Sequence, residues 1–522
     1  MPLTAFSSLF MNVVQLSIFA NRLDAVCEEM GATLQRSAFS PNIRDRLDYS
    51  CAVFDAGGEL CAQAAHIPVH LGSMAFAMRD IVSQIDWQPG DMVILNDPFK
   101  GGTHLPDISV IAPLVQDGEV YGFVVNRAHH ADIGSDKPGS MPVSTSLFDE
   151  GQVIEPTRLV VAGELDQQVL QQITGRLRQP QRAHGDFIAQ VAANRTGLDR
   201  LTELVAGLDR QQWSEALAAL NAYAGRLAKS AYQAIPDGAY RFEDVLDDDG
   251  QGNLDIAIRL TLKVSGGRIT ADFTGTDLQV AGNVNCPLSV TAAAVFYVFR
   301  CLLPAHAPAC AGCFDAIDIV AAPGCLLNAN FPAAVAAGNV ETSTRVVDVV
   351  LGALAQAIPD SIPAASYGSM NNIAMCSVED AWDYYETVGG GTGASPAGAG
   401  LDAVQAHMTN TLNTPIESLE MHYPLRVERY QLRRGSGGEG LYRGGDGILR
   451  SYRFLKPAQF TLLTERRRHA PWGLAEGDAA SAGINSLNEA PLPGKVSMQA
   501  EAGDVLTIET PGGGGFGEPG SD

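Results

Sequence analysis

The sequence predicts an α+β fold with helices and strands in segregated blocks, on three observations. Residues 165–231 are rich in Leu, Ala, Gln and Arg and read as helix. The stretch 238–276, and again everything after about residue 415, reads as strands separated by glycine-containing turns. Two apolar runs, "VTAAAVFYVFRCLL" and "TSTRVVDVVLGALAQAI", read as buried helices between those blocks. No fixed-period repeat is present. A mixed multi-domain architecture follows: residues 1–230 as a helix-and-hairpin domain, 231–380 as strands followed by buried helices, and 381–522 as a glycine-rich, mainly β region.

Taken in order, the first element is a helix over 14–37, with Ile18, Leu23, Val26, Met30 and Leu34 at helical spacing. "DRLDYSCAVFDAGGELCAQ" reads as two short strands joined at Ala56-Gly57-Gly58, with Asp48 at the start of the first. In "AHIPVHLGSM", His66 and His70 are four apart, but Pro68 between them argues against one helix face. They read as pocket-lining or core histidines, with ligation as the alternative.

The segment "NDPFKGGTHLPDISVIAPL" (96–114) is followed by "VVNRAHHADIGSDKPGSM" (124–141). Pro106 keeps His104 and Asp107 off a helix. "DISVIAPLV" and "EVYGFVVNRAHH" read as the arms of a hairpin turning at Asp117-Gly118. With those two residues as the loop, paired numbers sum to 235, so Asp107 lies opposite Ala128 and His104 opposite Ala131. His104, Asp107, His129 and His130 then meet at the open end of the hairpin. Which of His129 and His130 shares a face with Asp107 turns on a register shift of one residue.

Two imidazoles and a carboxylate suit a divalent metal with coordination positions left open, the catalytic rather than the structural pattern. The competing reading is a set of hydrogen-bonded polar residues at a strand end. Asp48 is a candidate to reach the same site from another strand. Glu150, after "STSLFD", is a candidate general base.

A formal net charge of −24 over 522 residues argues against nonspecific nucleic-acid binding, which needs clustered Lys and Arg. Nine scattered cysteines, an odd number, read as reduced thiols, and Cys310-Ala-Gly-Cys313 stands alone without a second pair. The N-terminal stretch has no basic n-region and no apolar run of spanning length, so a cytoplasmic protein is expected. The stretches "GGGTGASPAGAG", "SGGEGLYRGGDG" and "PGGGGFGEP" contain no phosphate-loop or dinucleotide fingerprint, which leaves the chain without a nucleotide site of its own.

"FSPNIRDRLDYSCAVFDAGGELCAQAAHIPVHLGSM", "GGTHLPD", "AHHADIG", "DFTGTDLQVAGNVNCP", "FPAAVAAGNVETSTRVVDVVLGAL" and the closing "GGGGFGEP" resemble the hydantoinase B family, in order and over nearly the whole chain. That family includes B subunits of ATP-dependent N-methylhydantoinases and caprolactamases, the matching half of 5-oxoprolinase, and the alpha subunit of acetone carboxylase. The resemblance implies a hydantoinase A-type partner that uses ATP to phosphorylate a lactam or hydantoin, and attack here by water held on a divalent metal (zinc, manganese or iron). It implies His104, Asp107 and His129 as ligands and Asp48 as a fourth; His70, Glu150 and His130, the last as a register-based competitor of His129, are catalytic candidates on their placement in the sequence alone. A ketone carboxylase subunit and a non-catalytic scaffold are the alternatives. Ser395 stands where many relatives are expected to carry a basic residue, which argues against anion binding by that glycine-rich loop.

Overall fold

The computed structural model describes residues 13–64, 67–377, 379 and 381–520. The described residues form four β-sheets, and long helices cover the first of them. The first sheet is antiparallel and has seven strands: β1 (Tyr49–Asp55), β2 (Leu60–Ala64), β3 (Met92–Leu95), β4 (Asp107–Gln116), β5 (Glu119–His129), β6 (Thr157–Val161) and β7 (Glu164–Leu165). Their order across the sheet is β2-β1-β5-β4-β3-β6-β7. Nearly every residue of β1 to β5 is buried, because helices cover both faces of the sheet.

One face is covered by the helix Val13–Ser37 and the helix Pro180–Val205. These two approach closely at Gly197, where a Cβ would come within 2.5 Å of Met30 Sδ. The second helix is pinned to the sheet by amides: Gln190 Nε2 donates to Ile108 O and Asn194 Nδ2 to Val110 O, both at 2.9 Å. On the other face lies the helix Pro68–Gln84, packed on the helix Leu288–Cys301 where Gly72 meets Ala293. Pro68 therefore starts a helix, and His70 sits in its first turn. Proline at a first helical position is favoured, since the missing N–H has no intrahelical partner there. His66 lies outside the described residues.

β8 (Gly238–Asp248), β9 (Leu254–Ser265), β10 (Arg268–Asp272) and β11 (Ile317–Val320) form the second sheet, with β10 and β11 parallel. The remaining two sheets face each other as a sandwich. One is built from β12 (Asn372–Ser377), β13 (Trp382–Glu386), β16 (Ala458–Leu463) and β19 (Lys495–Ala500), in the order β13-β12-β16-β19. The other is built from β14 (Leu425–Arg433), β15 (Gly447–Phe454), β17 (Ile484–Leu487), β18 (Ala490–Leu492) and β20 (Val505–Glu509), in the order β14-β15-β20-β17-β18. Tyr452, Phe454, Phe460 and Ile508 fill the space between them. β12 and β13 pair with each other on either side of residue 380. Among the described residues, no helix is long and apolar enough to cross a membrane, and the nine cysteines are free thiols.

A π-helix, Gly338–Thr342, runs directly into the buried helix Ser343–Ala355. Such widened turns recur at functional sites. Here the π-helix delivers Asn339 to the open end of the β4–β5 hairpin.

Candidate metal centre

The hairpin turns at Asp117 and Gly118, both with positive φ, as a two-residue loop requires. Gln116 pairs with Glu119 and Val115 with Val120, as the simple count predicts. Leu114 then pairs with Gly122, so Tyr121 is an extra residue in β5. This bulge moves the register by one, and Asp107 lies opposite His129 rather than Ala128. Trp213 Nε1 donates to the Tyr121 carbonyl at 2.9 Å and holds the bulge in place.

The alternation of β5 then separates the two histidines. His129 shares a face with Arg127, which is tied to Ser109 Oγ, Ser73 Oγ and Gly101 O. His130 points the other way with Asn126, toward the helix Pro180–Val205. Its Nε2 is 3.0 Å from Gln190 Oε1 and its ring stacks on Phe187 at 4.6 Å. His130 is accordingly a hydrogen-bonded packing residue under that helix and does not face Asp107.

Among the described residues, one group of three or more His, Cys, Asp or Glu side chains converges closely enough to hold an ion: His104, Asp107 and His129, with ligand atoms within 4.8 Å of one another. All three are buried. Asp107 Oδ1 lies 3.1 Å from His129 Nδ1. Its Oδ2 accepts from Thr103 Oγ1 at 2.5 Å and from Asn339 Nδ2 at 3.5 Å, and lies 3.2 Å from His70 Nε2. His70 Nδ1 is in turn 3.2 Å from Ser50 Oγ. His104 Nδ1 is 3.4 Å from Ala336 O, so Nδ1–H is the donor and Nε2 carries the lone pair. The same holds for His129, whose Nδ1 faces a carboxylate. Both Nε2 atoms are buried and lack a hydrogen-bond partner. His104 Nε2 is 3.2 Å from Asp107 Oδ1 but out of alignment for a bond.

Two bare imidazole lone pairs beside a carboxylate are an unfavourable arrangement in a dry interior unless something shares them. A divalent cation fits this donor set: borderline nitrogen and hard oxygen ligands accept zinc, manganese or iron. The cavity they line has a volume of about 20 Å³, room for an ion or one water. Asp48, His70, Asn339 and Tyr385 line it too. Asp48 thus borders the cavity without joining the three-residue group. Tyr385 stacks on the His129 ring at 4.5 Å and fixes its plane.

Burial disfavours charge on Asp107, yet His104 and His70 outweigh it and hold the carboxyl well below its usual range. For His104, burial works against charge, but Asp107 prevails and raises its pKa. On His129 burial wins over Asp48 and Asp107, and its pKa is lowered. Glu150 stands one layer back. Its Oε1 accepts from Val335 N, Ala336 N and Ser144 Oγ at 2.9, 3.0 and 2.7 Å, while Oε2 has no partner. Burial raises its pKa to about 7. Glu150 therefore grips the N–H of Ala336, the residue whose carbonyl orients His104, rather than lining the cavity.

Sequence reasoning brings His104, Asp107 and His129 together but misses Thr103, Asn339 and Tyr385. Thr103 adjoins "HLPD" and is within reach of the same argument. Asn339 and Tyr385 come from more than 200 residues away, and the signal for Asn339 is a Gly-Asn pair inside an apolar run.

The family model described as hydantoinase B/oxoprolinase matches residues 12–519. Over 97% of its length the chain is 40% identical to 5-oxoprolinase 1 of Arabidopsis thaliana, covering 42% of that protein. It thus spans about two fifths of the length of that curated relative. It is 32% identical to the putative D-/L-hydantoinase B-type subunit of Pseudomonas sp. (strain NS671), over 97% of this chain and 90% of that one. The ATP-dependent caprolactamase from Pseudomonas jessenii superposes with a TM-score of 0.90 at 25% identity, over 98% of this chain and 92% of the other.

Proposed function

Because the chain belongs to the hydantoinase B/oxoprolinase family, we propose that it is the hydrolytic subunit of an ATP-dependent cyclic-amide hydrolase. Its partner is a hydantoinase A-type subunit that uses ATP to phosphorylate the amide oxygen of a lactam or cyclic ureide. The observation that carries this reading is the pair of buried, unpartnered Nε2 atoms of His104 and His129 flanking Asp107.

An unactivated lactam resists water because its amide is resonance-stabilised; a phosphorylated oxygen leaves a more electrophilic carbon. His104, Asp107 and His129, joined by Asp48 at the cavity's edge, would hold a divalent ion, which would supply Lewis-acid activation near neutral pH. The chain's own residues prepare the ground for it. Thr103, His70 and Asn339 hold Asp107 in one orientation, and His104 and His70 keep it ionised against the cost of burial. Ala336 O and Asp107 fix the tautomers of His104 and His129. Ile67, Val69, Met370 and Met408 wall the cavity with apolar surface, which limits loss of a labile intermediate to bulk water.

Co-expression with the ATP-binding subunit, followed by ATP turnover over 5-oxoproline, hydantoin, caprolactam and acetone with bicarbonate, tests the reading. Turnover with one or more cyclic amides is expected, dependent on a stoichiometric divalent ion in this chain. Turnover with acetone and bicarbonate alone would replace it with a carboxylase. Full lactam turnover by His104→Ala would reduce the chain to a scaffold.

A further inference from the structure

Besides its three ligands, the metal cavity is lined by hydroxyls: those of Thr387, Thr409 and Thr411. The Arg46 guanidinium bonds to two of them. Its Nη2 donates to Thr387 Oγ1 at 3.1 Å and to Thr411 Oγ1 at 3.3 Å. Its Nη1 donates to Tyr385 O at 2.8 Å and its Nε to Leu412 O at 3.4 Å. Arg46 is fully buried, and its partners are carbonyls, one amide oxygen and the two hydroxyls; among the described residues it forms no ion pair. A buried cation without a carboxylate partner is costly to hold, and it favours an anion beside it. The backbone is bent to place it there. Leu47, between Arg46 and the cavity-lining Asp48, has φ 57°, a left-handed conformation strained for a bulky side chain and of the kind that collects at ligand-handling sites.

Hydrogen-bond accounting leaves one proton over. The Thr387 and Thr411 hydroxyls lie 2.7 Å apart, so one donates to the other. Thr387 Oγ1 already accepts from Arg46 and, at 3.5 Å, from Gln405 Nε2. That amide is oriented by the Tyr367 hydroxyl, which donates to Gln405 Oε1 at 3.1 Å. A hydroxyl has two acceptor sites and one proton. Thr387 therefore donates to Thr411. Thr411 receives Arg46 and Thr387, which fills its acceptor sites and leaves its own proton unspent. Among the described residues, nothing accepts that proton. A hydroxyl polarised by a guanidinium, on the wall of the cavity, is a preset donor for an anionic oxygen.

We propose that Thr411 is a further catalytic residue: its hydroxyl donates a hydrogen bond to the oxygen that gains negative charge in the cavity as water adds to the activated carbon. Arg46 and Thr387 are the positioning residues that aim it. The hydroxyl keeps its proton throughout, and the stabilisation is electrostatic. The inference rests on the cyclic-amide reading above and adds the group that steadies the developing charge. The cavity, with a volume of about 20 Å³, takes one water-sized species. Fluoride, an anion of that size and a strong hydrogen-bond acceptor, is therefore the probe.

The test is a fluoride titration of the manganese-loaded full chain, followed by fluorine NMR relaxation. Thr411→Val keeps the shape and removes the hydroxyl, and should weaken fluoride about tenfold, the worth of one charge-assisted hydrogen bond. Thr411→Ser keeps the hydroxyl and should bind fluoride as wild type does. Manganese content should be the same in wild type and both variants, since Thr411 is outside the ligand group. With the A-type subunit present, Thr411→Val should lower kcat for a cyclic amide about 100-fold with KM little changed, and Thr411→Ser should restore it. No fluoride bound by wild type, equal affinity in wild type and Thr411→Val at equal manganese content, or equal weakening by the valine and serine variants overturns the proposal. If Thr411→Val does not fold, Thr411→Ala against Thr411→Ser makes the same comparison. Fluoride binding that depends on Thr411 in a chain that hydrolyses no cyclic amide sinks the hydrolytic reading and leaves the donor standing. Lactam turnover undiminished in Thr411→Val does the reverse.

Discussion

Asp107 and His129 face each other across the β4–β5 hairpin, Oδ1 to Nδ1 at 3.1 Å, because Tyr121 is one residue too many in β5. The bulge decides which of two adjacent histidines joins the cluster. Substituting them one at a time should therefore give opposite results. His129→Ala is expected to lose bound divalent metal, and His130→Ala to retain it while losing stability through its Gln190 bond and Phe187 stack. Elemental analysis of both purified variants checks this. Metal lost from His130→Ala and kept by His129→Ala would reverse the assignment.

His70 touches Asp107 through Nε2 and Ser50 through Nδ1. Residues that orient a ligand are worth about 10–100-fold in metal affinity. His70→Ala should weaken the divalent ion by that factor, and His70→Gln, which keeps a donor, should recover part of it. A competitive chelator titration measures both. Equal affinity in wild type and His70→Ala would show that Asp107 is held well enough by Thr103 and Asn339.

Much of this arrangement is readable from the sequence, and the unreadable part has a physical pattern. The hairpin, its two-residue turn and the long helices follow from local periodicity and turn chemistry. The register does not: Gly122 beside Tyr121 marks an interruption in the strand, but the bulge is held in place by Trp213, 92 residues further on. Pro68 misleads in the opposite direction: it reads as a helix breaker between two histidines, yet it opens the helix that carries His70. Asn339 and Tyr385 reach the cluster through a π-helix and a strand of another sheet, contacts that no local pattern encodes.

Glu150 gives a pH prediction with a definite sign. Burial raises its pKa from 4.5 to about 7, so the folded chain binds the proton more tightly than the unfolded chain does. That contribution to stability is complete below about pH 4.5 and is lost as pH rises through about 7. Glu150→Gln removes the titration while keeping an acceptor for Val335 N and Ala336 N. Relative to wild type, the variant should gain stability with rising pH, by up to ~3 kcal/mol between pH 4.5 and 8. Urea unfolding of chelator-treated protein across that range reads it out. Curves that stay parallel would mean that Glu150 is ionised throughout.

The π-helix makes a prediction that joins packing to the site. Gly338 lies so close to Asn285 that a Cβ there would fall 1.8 Å from the Asn285 carbonyl oxygen, and both groups are backbone or rigidly attached to it. Gly338 N also donates to Asn283 O at 3.0 Å, so the turn has no room to slide without breaking that bond. Gly338→Ala must push the π-helix outward, which carries Asn339 away from Asp107 Oδ2. Overpacking of this kind costs about 1–3 kcal/mol, here at the upper end because backbone rather than a flexible side chain is struck. A lower melting temperature is expected together with weaker metal binding, whereas an equally destabilising change in the C-terminal sandwich, Phe460→Ala, should leave metal affinity unchanged in the folded fraction. If Gly338→Ala melts early yet binds metal as tightly as wild type, Asn339 has no part in holding Asp107.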